Sequence, residues 1–240
     1  DHARNARRRE HLVLAEKGLE FTSHEVDLIG GGQHDPDYVK LNPNHVVPTL
    51  VDDGVVLVES TLINEYIDEA YPDPPMRPAD PAGRHAVRLW TKKIDTLHPQ
   101  CGVITFAIGP RTILLQQPKE VREANIAAIP DPAQRARRQS VVEHGVEAPE
   151  FVGALHAHLD FLDAMDTALA DAPWLSGETF GLAAAAALPY VLRMRHLAMD
   201  SLVDARPRVA DWFGRVEARP TFAKSVTAWL PEPILGMFRN

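Results

Sequence analysis

Cysteine is nearly absent: Cys101 stands alone in 240 residues. An internal disulfide is therefore excluded, and with it the secreted, disulfide-stapled scaffolds. Basic charge is also short, with 25 Lys and Arg against 33 Asp and Glu and a net charge of −8. Nucleic-acid binders show the opposite balance, so the short clusters Arg7-Arg8-Arg9 and 135–138 are read as solvated helix faces. Long apolar runs are missing as well. The longest, residues 181–192, is alanine-rich and contains Pro189, too short and too weakly apolar to span a membrane. No signal peptide and no internal repeat are visible. The chain opens Asp1-His2-Ala3 without an initiator Met, and we expect residues upstream. What remains, 45% apolar, is ample for a sizeable core and one or two domains.

Hydrophobic periodicity gives the elements. Residues 6–17 read as a helix with Gly18 as its C-terminal cap, and "LEFTSHEVDL" (19–28) alternates as a strand. A loop over 30–35 leads to a short helix at 36–41. The stretch "NHVVPTLVDDGVVLVES" (44–60) holds two apolar runs, about 48–52 and 55–58, around Asp53-Gly54, a strong hairpin signal. A helix follows from Ser60 to about Tyr71. "YPDPPMRPADP" (71–81) then packs five prolines into eleven residues, which no helix or central strand survives. Beyond it the pattern is helical: 82–108 with Pro99 inside, 148–170, a nearly all-apolar and hence central helix at 182–199, and 207–218. Residues 110–147 are polar and are expected to be irregular with helical pieces. The outline is an N-terminal α/β unit (1–72), a proline-rich linker (73–81) and an all-helical domain (82–240).

The ends of the hairpin carry the chemistry. Pro48 cannot donate to a strand ladder, so it opens a strand or sits in a bend; a trans proline on an edge strand is the plain reading. Ser60 stands where strand passes to helix, a natural N-cap. Free N–H groups there suit a carboxylate, and Glu59 beside them suits an ammonium. An α-amino acid end fits both; a simple serine cap with a solvated glutamate fits equally well.

"LAEKGLEF" (14–21), "LNPNHVVPTLVDDG" (41–54), "VLVES" (56–60) and "LINEYIDEAYP" (62–72), followed by "RPADPAGRHAVRLWTKKID" (77–95) and "GVITFAIGPR" (102–111), together resemble the cytosolic glutathione S-transferase family. Within it the likeness is to the bacterial branch of lignin β-etherases and tetrachlorohydroquinone dehalogenases. The resemblance implies a thioredoxin-like N-terminal domain, an all-α C-terminal bundle, glutathione as co-substrate, no metal, a cytoplasmic homodimer and a hydrophobic or aromatic small molecule as second substrate. Neither nucleic acid nor membrane is implied as a partner. It implies a cis bond before Pro48, with the backbone of Val47 pairing with the cysteinyl part of glutathione like an added strand. Glu59 and Ser60 match the holders of the γ-glutamyl end. Gln33 and His34 match a pair that meets the glycine carboxylate, His34 doing so best when protonated.

Departures from the family pattern matter too. The family's first strand, which precedes helix one, is absent from this chain. The position two before Pro48 is Val46, where relatives often carry Gln or Lys; His45 and Lys40 are the nearby replacements, with nothing to choose between them. Catalysis needs a stabilised glutathione thiolate, since a free thiol has a pKa near 8.5. The family supplies a hydroxyl or thiol at the start of helix one, yet residues 1–20 contain no Ser, Thr, Tyr or Cys. Asn5, as an amide donor, and Arg4, as a charge, are the candidates, with helix capping as the other role for Asn5. The capping box expected near the central helix is replaced by Gly181 and Ala184, which leaves Thr179 as a possible cap. The second substrate is expected against His98, Cys101, Ile104, Phe106, Trp229 and Phe238, each of which core packing would also explain. His156 and His158 point apart on a helix and are not a metal motif. Two other readings stay open: a glutathione-dependent dehalogenase, although that branch uses a Cys and a Ser that are not found here, and a non-catalytic binding protein of the same fold.

Overall fold

The computed structural model describes residues 2–28 and 30–229, with backbone only for 2–8 and 229. Helix α1 (His2–Glu16) ends in a Schellman turn: Leu19 N–H donates to Leu14 O (2.9 Å) and Gly18 N–H to Ala15 O (3.1 Å), with Gly18 at φ +67°. Only glycine adopts that backbone freely. Residues 19–27 then run without helix or strand. The strand expected at 19–28 is therefore not formed, because a strand requires a partner ladder. The free edge of strand β1 (Thr49–Asp52) faces this segment across a cavity of about 730 Å³. Phe21, Ser23 and Val26 line one wall and Thr49, Leu50 and Val51 the other, with Glu10, His11 and Leu14 of α1 above. At ~160 Å³ per strand residue, from strand rise, strand spacing and sheet separation, the gap has the volume of four or five residues of one strand.

Asp35 caps α2 (Pro36–Leu41), its carboxylate accepting from Asp37 N–H at 2.8 Å. β1 pairs antiparallel with β2 (Val55–Val58). Asp53 and Gly54 both take positive φ, 46° and 82°, as a two-residue hairpin loop of matching twist demands. Tyr66 and Tyr71 both donate to the Asp52 carboxylate (3.0 Å), tying α3 (Ser60–Ala70) onto the hairpin.

Residues 71–80 carry no helix or strand. They are gripped by a buried ionic cluster in which Asp68 accepts from Lys17 Nζ (2.5 Å), Met76 N–H (2.9 Å) and Arg77 Nε (3.0 Å), while Lys17 also reaches Pro74 O (2.6 Å). Buried charges persist only when paired in this way.

The second half is helical. α4 (Pro81–Ile108) accommodates Pro99 and packs along α8 (Pro149–Ala168) and α9 (Leu182–His196). All of α9 except Arg195 is buried, as its apolar sequence required. Residues 110–147 are more regular than expected, forming α5 (Pro110–Leu115), α6 (Lys119–Ala127) and α7 (Pro132–His144). Short helices α10 (Asp200–Asp204) and α12 (Pro220–Ser225) flank α11 (Pro207–Glu217). The start of α9 is not capped by Thr179. Gly181 takes the cap position without a side-chain bond, and Leu182 N–H donates to Met76 O of the linker at 2.8 Å. A Cβ on Gly181 would collide with that carbonyl, so glycine here permits the linker to do the capping. The architecture is an α/β thioredoxin-like N-terminal domain with a single hairpin, joined to an all-α bundle.

Arg9 corrects the reading of the basic cluster as a solvated face. It is 2% exposed, its guanidinium 5.6 Å from the Tyr190 ring, and its Nε and Nη1 have no hydrogen-bond partner among the described residues. On the other cluster, Arg138 stacks on Phe106 at 3.7 Å.

Candidate functional site

The bend before β1 is held from one side by two side chains. Asn42, fully buried, donates to Val46 O (2.8 Å) and Thr49 Oγ1 (3.2 Å); Tyr38 hydroxyl donates to Val46 O (2.7 Å) and lies 3.0 Å from Thr49 Oγ1. The Val47–Pro48 bond is cis, as is Asp73–Pro74. Val46 O is thus consumed, while no hydrogen bond joins the backbone of Val47 to another described residue. Val47 and Pro48 are half-buried. Such a free N–H and C=O pair is what an extended peptide needs in order to add as a strand.

Across the hairpin, Thr49 pairs with Val58, which brings Glu59 and Ser60 beside Val47 and Pro48. Ser60 is not the N-cap of α3. Glu59 holds that place at φ +67°, and Ser60 is the first helical residue, buried, with no side-chain cap bond. A non-glycine residue there costs about 1–3 kcal/mol and is most common at functional sites. The opening N–H groups of α3 are left without a side-chain cap, and those groups attract a carboxylate.

Asp95 of α4 joins this group and was missed in the sequence. It accepts from Thr61 Oγ1 at 3.2 Å. Partial burial raises its pKa most; Arg9 and the Thr61 hydroxyl oppose this, and the Glu59 charge adds to it. Two carboxylates from different domains therefore flank the start of α3. The only hint in the sequence was an acid one turn before His98 on a helix.

Gln33 and His34 lie together in the loop before α2. Gln33 Nε2 is 3.1 Å from His34 Nε2, and His34 Nδ1 is 3.2 Å from His45 Nδ1. Each His34 ring nitrogen thus lies within hydrogen-bond distance of a neighbour in the loop.

The second-substrate candidates do not converge. Cys101 and Ile104 are completely buried in the core, because α8 and α9 close over that face of α4. Phe106 sits under Arg138 instead. His98 alone meets the domain junction: its Nδ1 is 2.9 Å from the Tyr190 hydroxyl. Burial, with help from Arg9, pushes His98 down to about 4, and burial pushes the Tyr190 hydroxyl up. His98 is neutral at pH 7, so Tyr190 donates and His98 accepts. The side chains of Arg4, Asn5 and Trp229, and all of Phe238, lie outside the described residues. α1 runs from His2, which places Asn5 within the first turns and not at the cap. Among the described residues there is no cluster of three His, Cys, Asp or Glu suited to a metal, and no helix long and apolar enough to cross a membrane.

An unpaired strand edge at a proline bend thus lies next to a helix start flanked by two carboxylates, in an N-terminal domain of thioredoxin-like fold. Comparison with known proteins is specific. Residues 8–70 match the glutathione S-transferase N-terminal domain, and residues 132–215 match the C-terminal domain. Glutathione S-transferase 3 of Zea mays is 34% identical over 227 residues, covering 92% of this chain and 89% of its own. Tetrachloro-P-hydroquinone reductive dehalogenase of Sphingobium chlorophenolicum is 28% identical over 88% of this chain and 87% of its own. The crystal structure of beta-etherase LigF from Sphingobium sp. strain SYK-6 superposes with a TM-score of 0.77 at 26% identity, covering 92% and 93% of the two chains. The chain belongs to the glutathione S-transferase family.

Proposed function

We propose that this chain binds glutathione across the hairpin and directs its thiolate onto an aromatic or otherwise hydrophobic electrophile. The carrying observation is the unpaired backbone of Val47 beside the uncapped start of α3. The cysteinyl residue of glutathione pairs with Val47 next to Pro48. The γ-glutamyl carboxylate meets the N–H groups at Ser60 and Thr61, and its ammonium lies between Glu59 and Asp95. Gln33 and His34 belong to the glycine end. The thiolate, lowered in pKa by the N-terminus of α1 with Asn5 and Arg4, attacks carbon; a C–S bond forms and the leaving group departs with the electron pair of its bond. An aryl ether is a leaving group consistent with the likeness to the β-etherase, and halide is the alternative drawn from the dehalogenase. His98 is the residue that such a substrate would approach, its partner Tyr190 and the neighbouring Cys101 and Ile104 being buried in the helical half. A homodimer in the cytoplasm is part of the same reading.

Ultraviolet titration of the bound thiol tests it. Glutathione on the protein should ionise well below pH 8.5, and Asn5→Ala should move that value back toward 8.5 and slow turnover together. Binding with an unshifted thiol would favour the second reading, a non-catalytic glutathione-binding protein, which the lack of a hydroxyl in residues 1–20 keeps open.

A further inference from the structure

Lys17 and Arg9 are both charged and both buried, yet their surroundings differ. Lys17 has Asp68 at 2.5 Å and Pro74 O at 2.6 Å. Arg9 is 2% exposed, and its Nε and Nη1 have no hydrogen-bond partner among the described residues. What it meets is the Tyr190 ring, 5.6 Å from the guanidinium carbon. Neither acid that feels its charge supplies the partner. Glu10, next to it on α1, is pushed up to about 8 by burial and is protonated at pH 7. Asp95 of α4 accepts instead from Thr61 Oγ1 at 3.2 Å. A buried guanidinium left in this state costs stability. Function is the usual reason that such a cost is retained.

The charge acts on the second-substrate side of the domain junction. Tyr190, 1% exposed, meets Arg9 with its ring and His98 Nδ1 with its hydroxyl, at 2.9 Å. His98 is half-buried, so this group meets solvent there. The field of Arg9 reaches that point: burial first and Arg9 second disfavour a proton on His98. A positive field that opposes a proton favours an anion at the same place. Two acids oppose it, Asp95 one turn before His98 on α4 and Glu59 at the start of α3. In the glutathione reading both face the γ-glutamyl ammonium. Once glutathione is bound, Arg9 is the charge left without a counterpart. Across one aromatic ring, in partly screened surroundings, a unit charge changes binding by roughly tenfold.

We propose that Arg9 is a specificity-determining charge that selects aromatic electrophiles carrying an anionic group, such as a carboxylate, and draws that group to the side of His98. The proposal rests on the glutathione reading above. The test is turnover by the full chain of glutathione with 4-chloro-3-nitrobenzoate or with its neutral amide. In both, the thiolate forms a C–S bond at the carbon that loses chloride, and chloride leaves with the electron pair. Each rate is taken relative to its uncatalysed reaction, which removes the difference in intrinsic reactivity. The parent protein should prefer the benzoate by roughly tenfold in kcat/KM, expressed in KM. Arg9→Met should lose that preference and keep or gain in Tm, since an unpaired buried charge is removed. Arg9→Lys should keep most of the preference, and is the deciding variant if Arg9→Met does not fold. No preference in the parent protein, or one that survives Arg9→Met, ends the proposal and leaves the glutathione reading standing. An equal loss for both substrates ends it too, because Arg9 would then act on the thiolate. If the chain accelerates neither reaction, the transferase reading itself fails.

Discussion

At the Val47 bend, four neutral hydrogen bonds made by Tyr38 and Asn42 with Val46 O and the Thr49 hydroxyl shape a surface loop. Along α1 and the turn that ends it the materials are different: Arg9, Glu10 and Lys17 are 2%, 5% and 7% exposed, three charged side chains taken almost wholly out of water. The bend is assembled within eleven residues of sequence, whereas Lys17 meets its partner Asp68 across 51. Neutral local bonds contribute modestly and fail singly. Buried charges depend on partners from distant chain, and losing one partner strands the other. The binding edge should therefore tolerate change that the junction will not.

Breaking the junction should give the largest effect. Asp68→Ala leaves Lys17 charged in the interior and should cost about 3–5 kcal/mol in urea unfolding; a loss under 1 kcal/mol would end the contrast. Next comes pH. Burial raises the Glu10 carboxyl from 4.5 to about 8 against the opposing charge of Arg9. The unfolded chain releases this proton from pH 4.5 upward and the folded chain only near 8, so the contribution is complete below 4.5 and is lost as pH rises to 8. Glu10→Gln should match the parent protein at pH 4 and exceed it by several kcal/mol at pH 8, read from Tm against pH. His158 works in the other direction: burial holds it at about 4 against 6.5, so stability falls as pH drops through that window. Smallest should be Asn42→Ala at the bend. Val46 O keeps its bond from Tyr38, and the loss should be about 1–2 kcal/mol. Glutathione affinity should fall more than stability does, and equal losses would show that the bend and the core are not separable.

Much of the N-terminal unit was legible because its signals are local. Asp53-Gly54 and Gly18 each dictated a turn or cap through their own backbone. The cis bond before Pro48 was legible only through the family resemblance, since the residues alone read as a trans proline on an edge strand, and the cap proved to be Glu59 and not Ser60. Where the reading failed, the cause lay at a distance. Arg9 looked like a surface charge because nothing near it in sequence announces Tyr190. Cys101 and Ile104 were correctly placed on one face of α4, but periodicity does not tell a face that lines a site from one sealed by α8 and α9. Asp95 became a site residue only when α4 met the start of α3. Within 110–147, α5 and α6 bury no residue and α7 buries Val141 and Val142 alone, so little of the packing that stabilises these helices is written in their own sequence.

The sequence by itself determined where the chain turns, which runs are helical and that α9 is central, because these follow from φ, ψ and patterning over a few residues. The tertiary structure decided which charges are buried, that the linker carbonyl of Met76 caps α9 over Gly181, and that two carboxylates share the start of α3. Each of these requires two segments to arrive at the same place, and the free energy of a buried charge or an oriented hydrogen bond is set by the group that meets it.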